Sequence, residues 1–251
     1  MRIGFTIIFN GLHHLLHNNY AEKLVNMLDY WVIVEGAAGN TGSTSWCNPM
    51  PEKYYDDYGK SVDGTIAFIS GFMNGRIKND ITLFVANGIW ESKDTMVNTA
   101  IEWIKENLTE NAFLWQIDID EQWTPEAMDM AEKELIGDTG LFLCDYYVGP
   151  ELMAKDERPY KRLWRWKGQQ FASHEPPLLE GGNGTEQLLS QRFNHYAYYY
   201  EKDVRFKDDW YGGHEGIYKR WKELQEETNF PQPLSRLLPR KTGEINVCSH
   251  I

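Results

Sequence analysis

The chain opens on an unbroken apolar run, "IGFTIIF", after which polar positions return with a helical rhythm: in "YAEKLVNMLDY", Leu24, Val25 and Leu28 fall on one face. The same succession then recurs. "WVIVEG" reads as a second strand, "SVDGTIAFISGFMNGR" as a helix and "ITLFVA" as a third strand. "MVNTAIEWIKENL" carries Val97, Ile101, Ile104 and Leu108 at helical spacing, and "NAFLWQID" is a fourth strand. Apolar strands alternating with amphipathic helices predict an α/β fold: a mostly parallel sheet flanked by helices, with ligands collecting beyond the carboxyl ends of the strands. "TPEAMDMAEKEL" predicts a further helix, with Thr124 as N-cap, Pro125 at the first helical position, and Met128, Ala131 and Leu135 facing inward.

After "LFLCDYYVG" the alternation stops, and residues 151–200 are dense in Trp, Tyr, Arg, His, Pro and Gly. This stretch reads as an irregular, ligand-facing half. Helical spacing returns in "HEGIYKRWKELQEE" at Ile217, Trp221 and Leu224. With no repeat or linker in evidence, the expectation is a single domain over 1–251, regular over 1–123 and irregular over 124–251.

Composition narrows the function classes. A chain of 251 residues that is 42% hydrophobic can bury a substantial core. With 37 Asp+Glu against 25 Lys+Arg, its net charge of -12 argues against a nucleic-acid partner held by phosphates, and a phosphorylated ligand needs a cation's help. Cys47, Cys144 and Cys248 form no C-x-x-C pair, which favours a reducing compartment, the cytoplasm by default. The opening "MRIGFTIIFNGLHH" does not read as an export leader, and no run reaches the roughly 20 apolar residues that span a bilayer, so no transmembrane segment is expected.

The stretch "LWQIDIDEQWTP" places Asp118, Asp120 and Glu121 within four positions. Alternate side chains of a strand share a face, so Asp118 and Asp120 would form a two-carboxylate claw while Ile119 faces the other way. A divalent cation removes their repulsion: Mg²⁺ or Mn²⁺ prefers carboxylate, water and phosphate oxygens, and it also draws a diphosphate into an acidic protein. The plainer alternative is a solvated turn whose acids favour the following helix N-terminus.

Other residues belong beside this cluster. Arg162 and Arg165 in "RLWRWKGQQFASHEPPLL" could fork onto diphosphate oxygens or make surface ion pairs. His174 and Glu175 precede two prolines, with His174 expected to fix Glu175 by a hydrogen bond, and His195 sits in the aromatic run "FNHYAYYY". His13 and His17 have the i, i+4 spacing of a zinc pair but lack the H-E-x-x-H pattern, and are expected to line the pocket or face solvent. Trp123, Trp164, Trp166 and Tyr198 are candidates for stacking on a sugar, although core packing is the commoner fate of tryptophan. Lys207, Arg236, Arg240 and Lys241 read either as a late basic loop closing over a diphosphate or as a solvated tail.

Taken together, D-x-D-E, R-[hydrophobic]-[aromatic]-R, F-x-x-H-E and H-Y-x-Y resemble the family 2 glycosyltransferases of the GT-A fold, with some likeness to family 17. The resemblance covers roughly residues 2–207. It implies a Rossmann-like sheet, a nucleotide-sugar-binding half at 1–123, and an acceptor-binding half with a C-terminal helix and tail at 124–251. It implies an inverting, Mn²⁺- or Mg²⁺-dependent glycosyltransferase taking a UDP- or GDP-type donor and a carbohydrate or glycoconjugate acceptor. Residue by residue, it implicates Thr6 and Glu35 at the nucleoside and Asp118 at the ribose. Asp120 and His195 then fall at the metal, Glu175 is the base that deprotonates the acceptor hydroxyl, and Arg162 and Arg165 lie on the donor side. The chain departs from the family where "EGAAGNTGSTSW" stands apart from "SVDGT", an insertion on the nucleoside side.

Two other classes compete. A nucleotidyltransferase also uses a D-x-D but calls for a basic or Gly-rich triphosphate cradle near its start, which "FTIIFNGLHHLLHN" lacks. A non-catalytic carbohydrate-binding domain fits the aromatic content but needs neither the acids nor Glu175.

Overall fold

The computed structural model describes residues 1–75, 80–108, 111–150, 152–155 and 158–238; Arg240, Lys241 and Cys248 lie outside them. The first half runs β1 (Arg2–Ile8), α1 (Leu12–Leu16), α2 (Tyr20–Met27), β2 (Tyr30–Glu35), α3 (Thr65–Asn74), β3 (Ile81–Val85), α4 (Lys93–Asn107) and β4 (Ala112–Gln116). There follow β5 (Glu121–Gln122), α5 (Pro125–Glu134), β6 (Thr139–Gly149), β7 (Leu152–Lys155), β8 (Tyr160–Trp166), β9 (Phe171–Ser173), β10 (Leu178–Leu179) and β11 (Glu186–His195). The chain continues through α6 (Glu201–Trp210), α7 (Ile217–Gln225) and β12 (Gln232–Pro233).

The predicted βαβαβαβ succession is present, and its order in space sets up the site. β1 lies between β2 and β4, parallel to both, and β3 extends the sheet beyond β2. The chain therefore winds outward from β1 to β3, crosses back through α4, and starts again at β4. This reversal opens a crevice beyond the carboxyl ends of β1 and β4, the usual place for a ligand in an open α/β sheet.

Both faces of these strands are covered, as their continuous apolar sequences require. On one side α4 lays Val97, Ala100, Ile101 and Ile104 against Ile3, Phe5, Val32 and Val34. On the other, Leu24 and Val25 of α2 and Met128 and Ala131 of α5 pack with Trp31, Ile33 and Trp115. The expected cap is in place, with Thr124 Oγ1 accepting from the Ala127 N–H at 3.2 Å ahead of α5, and Ser92 Oγ likewise accepts from the Thr95 N–H at 3.0 Å ahead of α4.

The sheet is mixed, not mostly parallel as the pattern predicted. Its main path runs β12-β7-β6-β8-β4-β1-β2-β3, with β11 joined to β6 and β5 joined to β11. Among the described residues five of its strand pairs are parallel and four antiparallel. The cause is that β7 and β8 both return antiparallel along β6, which leaves β8 antiparallel beside β4. The stretch read as irregular is thus largely strand. Its clearest signal was β11, "EQLLSQRFNH", in which Leu189, Gln191, Phe193 and His195 alternate inward.

Candidate functional site

A cavity of about 290 Å³ opens at the carboxyl ends of β1 and β4 and is closed from above by the segment leading into α6 and by α6 itself. Asp118, Asp120, Glu175 and Asp203 supply carboxylates to its wall, and Lys93, Arg162 and Lys207 supply cations.

β4 ends at Gln116, so Asp118 and Asp120 leave from a turn closed by the Glu121 N–H donating to the Asp118 carbonyl at 2.9 Å, and not from a continuing strand. The two carboxylates still reach one cavity, but the turn divides the cluster, with Glu121 and Asp118 on Arg162 and Asp120 apart. Glu121, fully buried, takes two hydrogen bonds from Arg162, Nε to Oε2 at 2.8 Å and Nη2 to Oε1 at 2.7 Å. Arg162 Nη2 also donates to Asp118 Oδ2 at 3.0 Å. Burial pushes the Glu121 carboxyl up to about 7 against the pull of the guanidinium. For Asp118 burial pushes the same way and is the largest single influence, but Arg162, His174 and Lys93 together hold the carboxyl below its usual range.

Asp120 has different neighbours. β5 pairs with the end of β11 in the register His195↔Glu121, and the Tyr196 N–H donates to the Asp120 carbonyl at 2.7 Å. This backbone pairing sets Asp120 Oδ1 3.7 Å from His195 Nε2, with Lys207 Nζ 3.7 Å from Oδ2. Burial again works to raise the carboxyl, while His195 and then Lys207 hold it well below the ordinary carboxylate range. The His195 ring stacks on Tyr146, centroids 4.4 Å apart.

Glu175 lines the cavity and is exposed. His174 lines the same cavity, but its ring nitrogen Nδ1 meets Gln116 Nε2 at 3.5 Å and its backbone N–H donates to Asp94 Oδ1 at 2.7 Å, so it does not tether Glu175 as expected. Burial lowers the His174 imidazole to about 4, leaving it neutral near pH 7.

Several predicted ligand contacts fall elsewhere. Arg162 and Arg165 are three apart on β8, and a strand's period of two sends them to opposite faces. Arg162 is consumed by Glu121 and Asp118, whereas Arg165 bonds the Leu135 carbonyl, stacks over Phe113 and does not line the cavity. Thr6 accepts from the Trp31 indole at 2.8 Å within the core. Glu35 is buried, accepting from the Ser61 N–H at 2.7 Å, and neither it nor Thr6 lines the cavity. Trp123, Trp164 and Trp166 are core residues, and of the stacking candidates only Tyr198 lines the cavity. Arg236 pairs with Glu227 at 2.6 Å.

Lys93, His14 and Asp203 line the cavity without having carried a legible signal in the sequence. Lys93 opens α4 behind an ordinary cap and sits over the Trp210 ring at 5.0 Å. His14 and Asp203 face the cavity from α1 and α6, and the His13/His17 spacing pointed past both. Lys207, expected in a loop, belongs to α6. Among the described residues no helix is long and apolar enough to cross a membrane. Compared with protein-family models and with curated proteins, the chain matches neither a family nor a relative.

Proposed function

We propose that this chain is an inverting, divalent-metal-dependent glycosyltransferase that moves a sugar from a nucleoside-diphosphate donor to a hydroxyl acceptor. One observation carries the proposal: Asp120 and His195 face each other at 3.7 Å in a cavity at the switch point of the sheet. That separation is too long for a hydrogen bond. Ligands about 2.0–2.2 Å from a shared ion stand roughly 3–3.5 Å apart, so a shift of a few tenths of an ångström brings both onto one cation. Few protein ligands are needed where substrate phosphates complete the shell, as is usual for Mg²⁺. An ion held there supplies Lewis-acid stabilisation to a departing diphosphate, worth several kcal/mol.

The chain's own groups take the remaining parts. Lys93 and Lys207 bring positive charge to the diphosphate, while Asp118, steadied by Arg162, offers its other oxygen to the ribose. Glu175, exposed and forming no hydrogen bond with a described residue, is free to take the acceptor's proton, a contribution of roughly 10²–10⁴-fold.

Incubation with a panel of UDP- and GDP-sugars and Mn²⁺ tests the proposal. Release of nucleoside diphosphate, slow by hydrolysis and faster with a carbohydrate acceptor, is the expected result. Pyrophosphate release from a nucleoside triphosphate would make the chain a nucleotidyltransferase, and sugar binding without turnover would make it a carbohydrate-binding domain.

A further inference from the structure

Two successive histidines of α1 converge on one carboxylate of α6. His13 Nε2 lies 2.9 Å from both Oδ1 and Oδ2 of Asp203, and His14 Nε2 lies 2.9 Å from Oδ2. The two rings stand 4.1 Å apart, and the edges of both meet Tyr200, whose hydroxyl is 2.7 Å from His17 Nδ1. His14 is buried, and Asp203 retains 16% of its side-chain surface. Among the described residues this is the group of His, Cys, Asp and Glu side chains whose three ligand atoms all come within 4.8 Å of one another.

The segment is firmly held. The Asn10 N–H donates to Ser61 Oγ at 2.8 Å, its side-chain amide to the Tyr54 carbonyl at 2.7 Å, and the Leu12 N–H to Asp63 Oδ2 at 3.1 Å. These bonds fix the backbone from which both imidazoles project. Without a cation the Asp203 carboxylate holds the His13 proton on Nε2; Nδ1 is buried without a partner, so a cation taking the place of that proton moves it to Nδ1 with no existing bond to break there.

We infer that His13, His14 and Asp203 form a binding site for a zinc-class divalent cation, separate from the Asp120–His195 pair. Two imidazoles and one carboxylate suit a borderline ion, whereas the harder Mg²⁺ and Mn²⁺ prefer oxygen. Zinc at about 2.0–2.1 Å from each ligand sets neighbouring ligands roughly 3.3 Å apart, so each imidazole nitrogen need draw back from the Asp203 oxygen by only a few tenths of an ångström, and the two nitrogens already lie within 4.8 Å of each other. His14 and Asp203 line the cavity, so the fourth position of a tetrahedral ion opens towards it. The cluster therefore has the three-ligand, one-open arrangement that admits a water or a ligand oxygen. It does not depend on glycosyl transfer.

The full chain, stripped by chelator and kept free of nucleotide, is titrated calorimetrically with Zn²⁺. One equivalent should bind in wild type and in Asp120→Asn, and roughly 100-fold more weakly in His14→Gln. Absence of stoichiometric binding to wild type overturns the site. So does wild-type affinity in His14→Gln, or loss of the zinc in Asp120→Asn with retention in His14→Gln. Should His14→Gln fail to fold, X-ray absorption at the zinc edge of the wild-type protein decides. Two imidazole shells are expected, and one or none overturns the assignment.

Discussion

The Arg162 guanidinium grips the Glu121 carboxylate through two near-parallel hydrogen bonds, 2.8 and 2.7 Å long, with both residues buried beneath the cavity. The pair explains how three acids within four positions are tolerated. Glu121 is neutralised from below, Asp118 shares the same cation, and Asp120 stands apart beside His195 and Lys207. Repulsion is relieved by one guanidinium shared between Glu121 and Asp118 and by separate cations beside Asp120.

Removing the guanidinium leaves Glu121 buried and unpaired. Arg162→Met is expected to lower stability at pH 7 by about 3–5 kcal/mol, measured by urea unfolding. Without Arg162 the Glu121 pKa rises further. A raised carboxyl stabilises the fold below its unfolded pKa and loses that contribution as pH rises, so the deficit should shrink towards pH 5. A deficit independent of pH would mean that Glu121 is not the group left uncompensated.

If the proposed function holds, Asp120 and Glu175 separate binding from chemistry. Asp120→Asn should cut transfer by about 100-fold or more, the equivalent of roughly 3 kcal/mol, and abolish Mn²⁺-dependent nucleotide binding. Glu175→Gln should lose roughly 10²–10⁴-fold in transfer and keep nucleotide affinity, because Glu175 lies exposed at the cavity wall. Calorimetry with Mn²⁺ reads both variants, and equal nucleotide affinity in Asp120→Asn and wild type removes the ion from that pair.

Arg165 supplies a contrast on the same strand. Its contacts are the Leu135 carbonyl and the Phe113 ring, on the face away from the cavity. Arg165→Ala should cost about 1 kcal/mol of stability and leave donor affinity untouched. Weakened nucleotide binding in a folded variant would return Arg165 to the donor site.

The buried imidazole of His174 gives stability an acid slope. Its folded pKa is about 4, against an ordinary value near 6.5, so the unfolded chain binds a proton between these limits while the folded chain does not. Stability from this group is fully present above pH 6.5 and is lost as pH falls to 4, about 3 kcal/mol at most. His214, also lowered to about 4 by burial, adds to the slope. His174→Gln should flatten unfolding free energy across this window, and an unchanged slope would assign the loss elsewhere.

By itself the sequence determined the elements whose cause is local. Apolar runs and 3.6-residue periodicity marked β1 to β4, α2, α4, α5 and α7, and the cap at Thr124 follows from a hydrogen bond within three residues. Those elements also brought the acid cluster to the end of β4. Only the tertiary structure decided which acid meets which cation, because the partners are remote: Arg162 reaches Glu121 across 41 residues, and His13 reaches Asp203 across 190. It also decided which face each residue of β8 presents, placing Arg162 under the cavity and Arg165 behind the sheet. Periodicity records whether a position is buried, whereas charge pairing and strand neighbourhood depend on long-range contacts that leave no spacing in the chain.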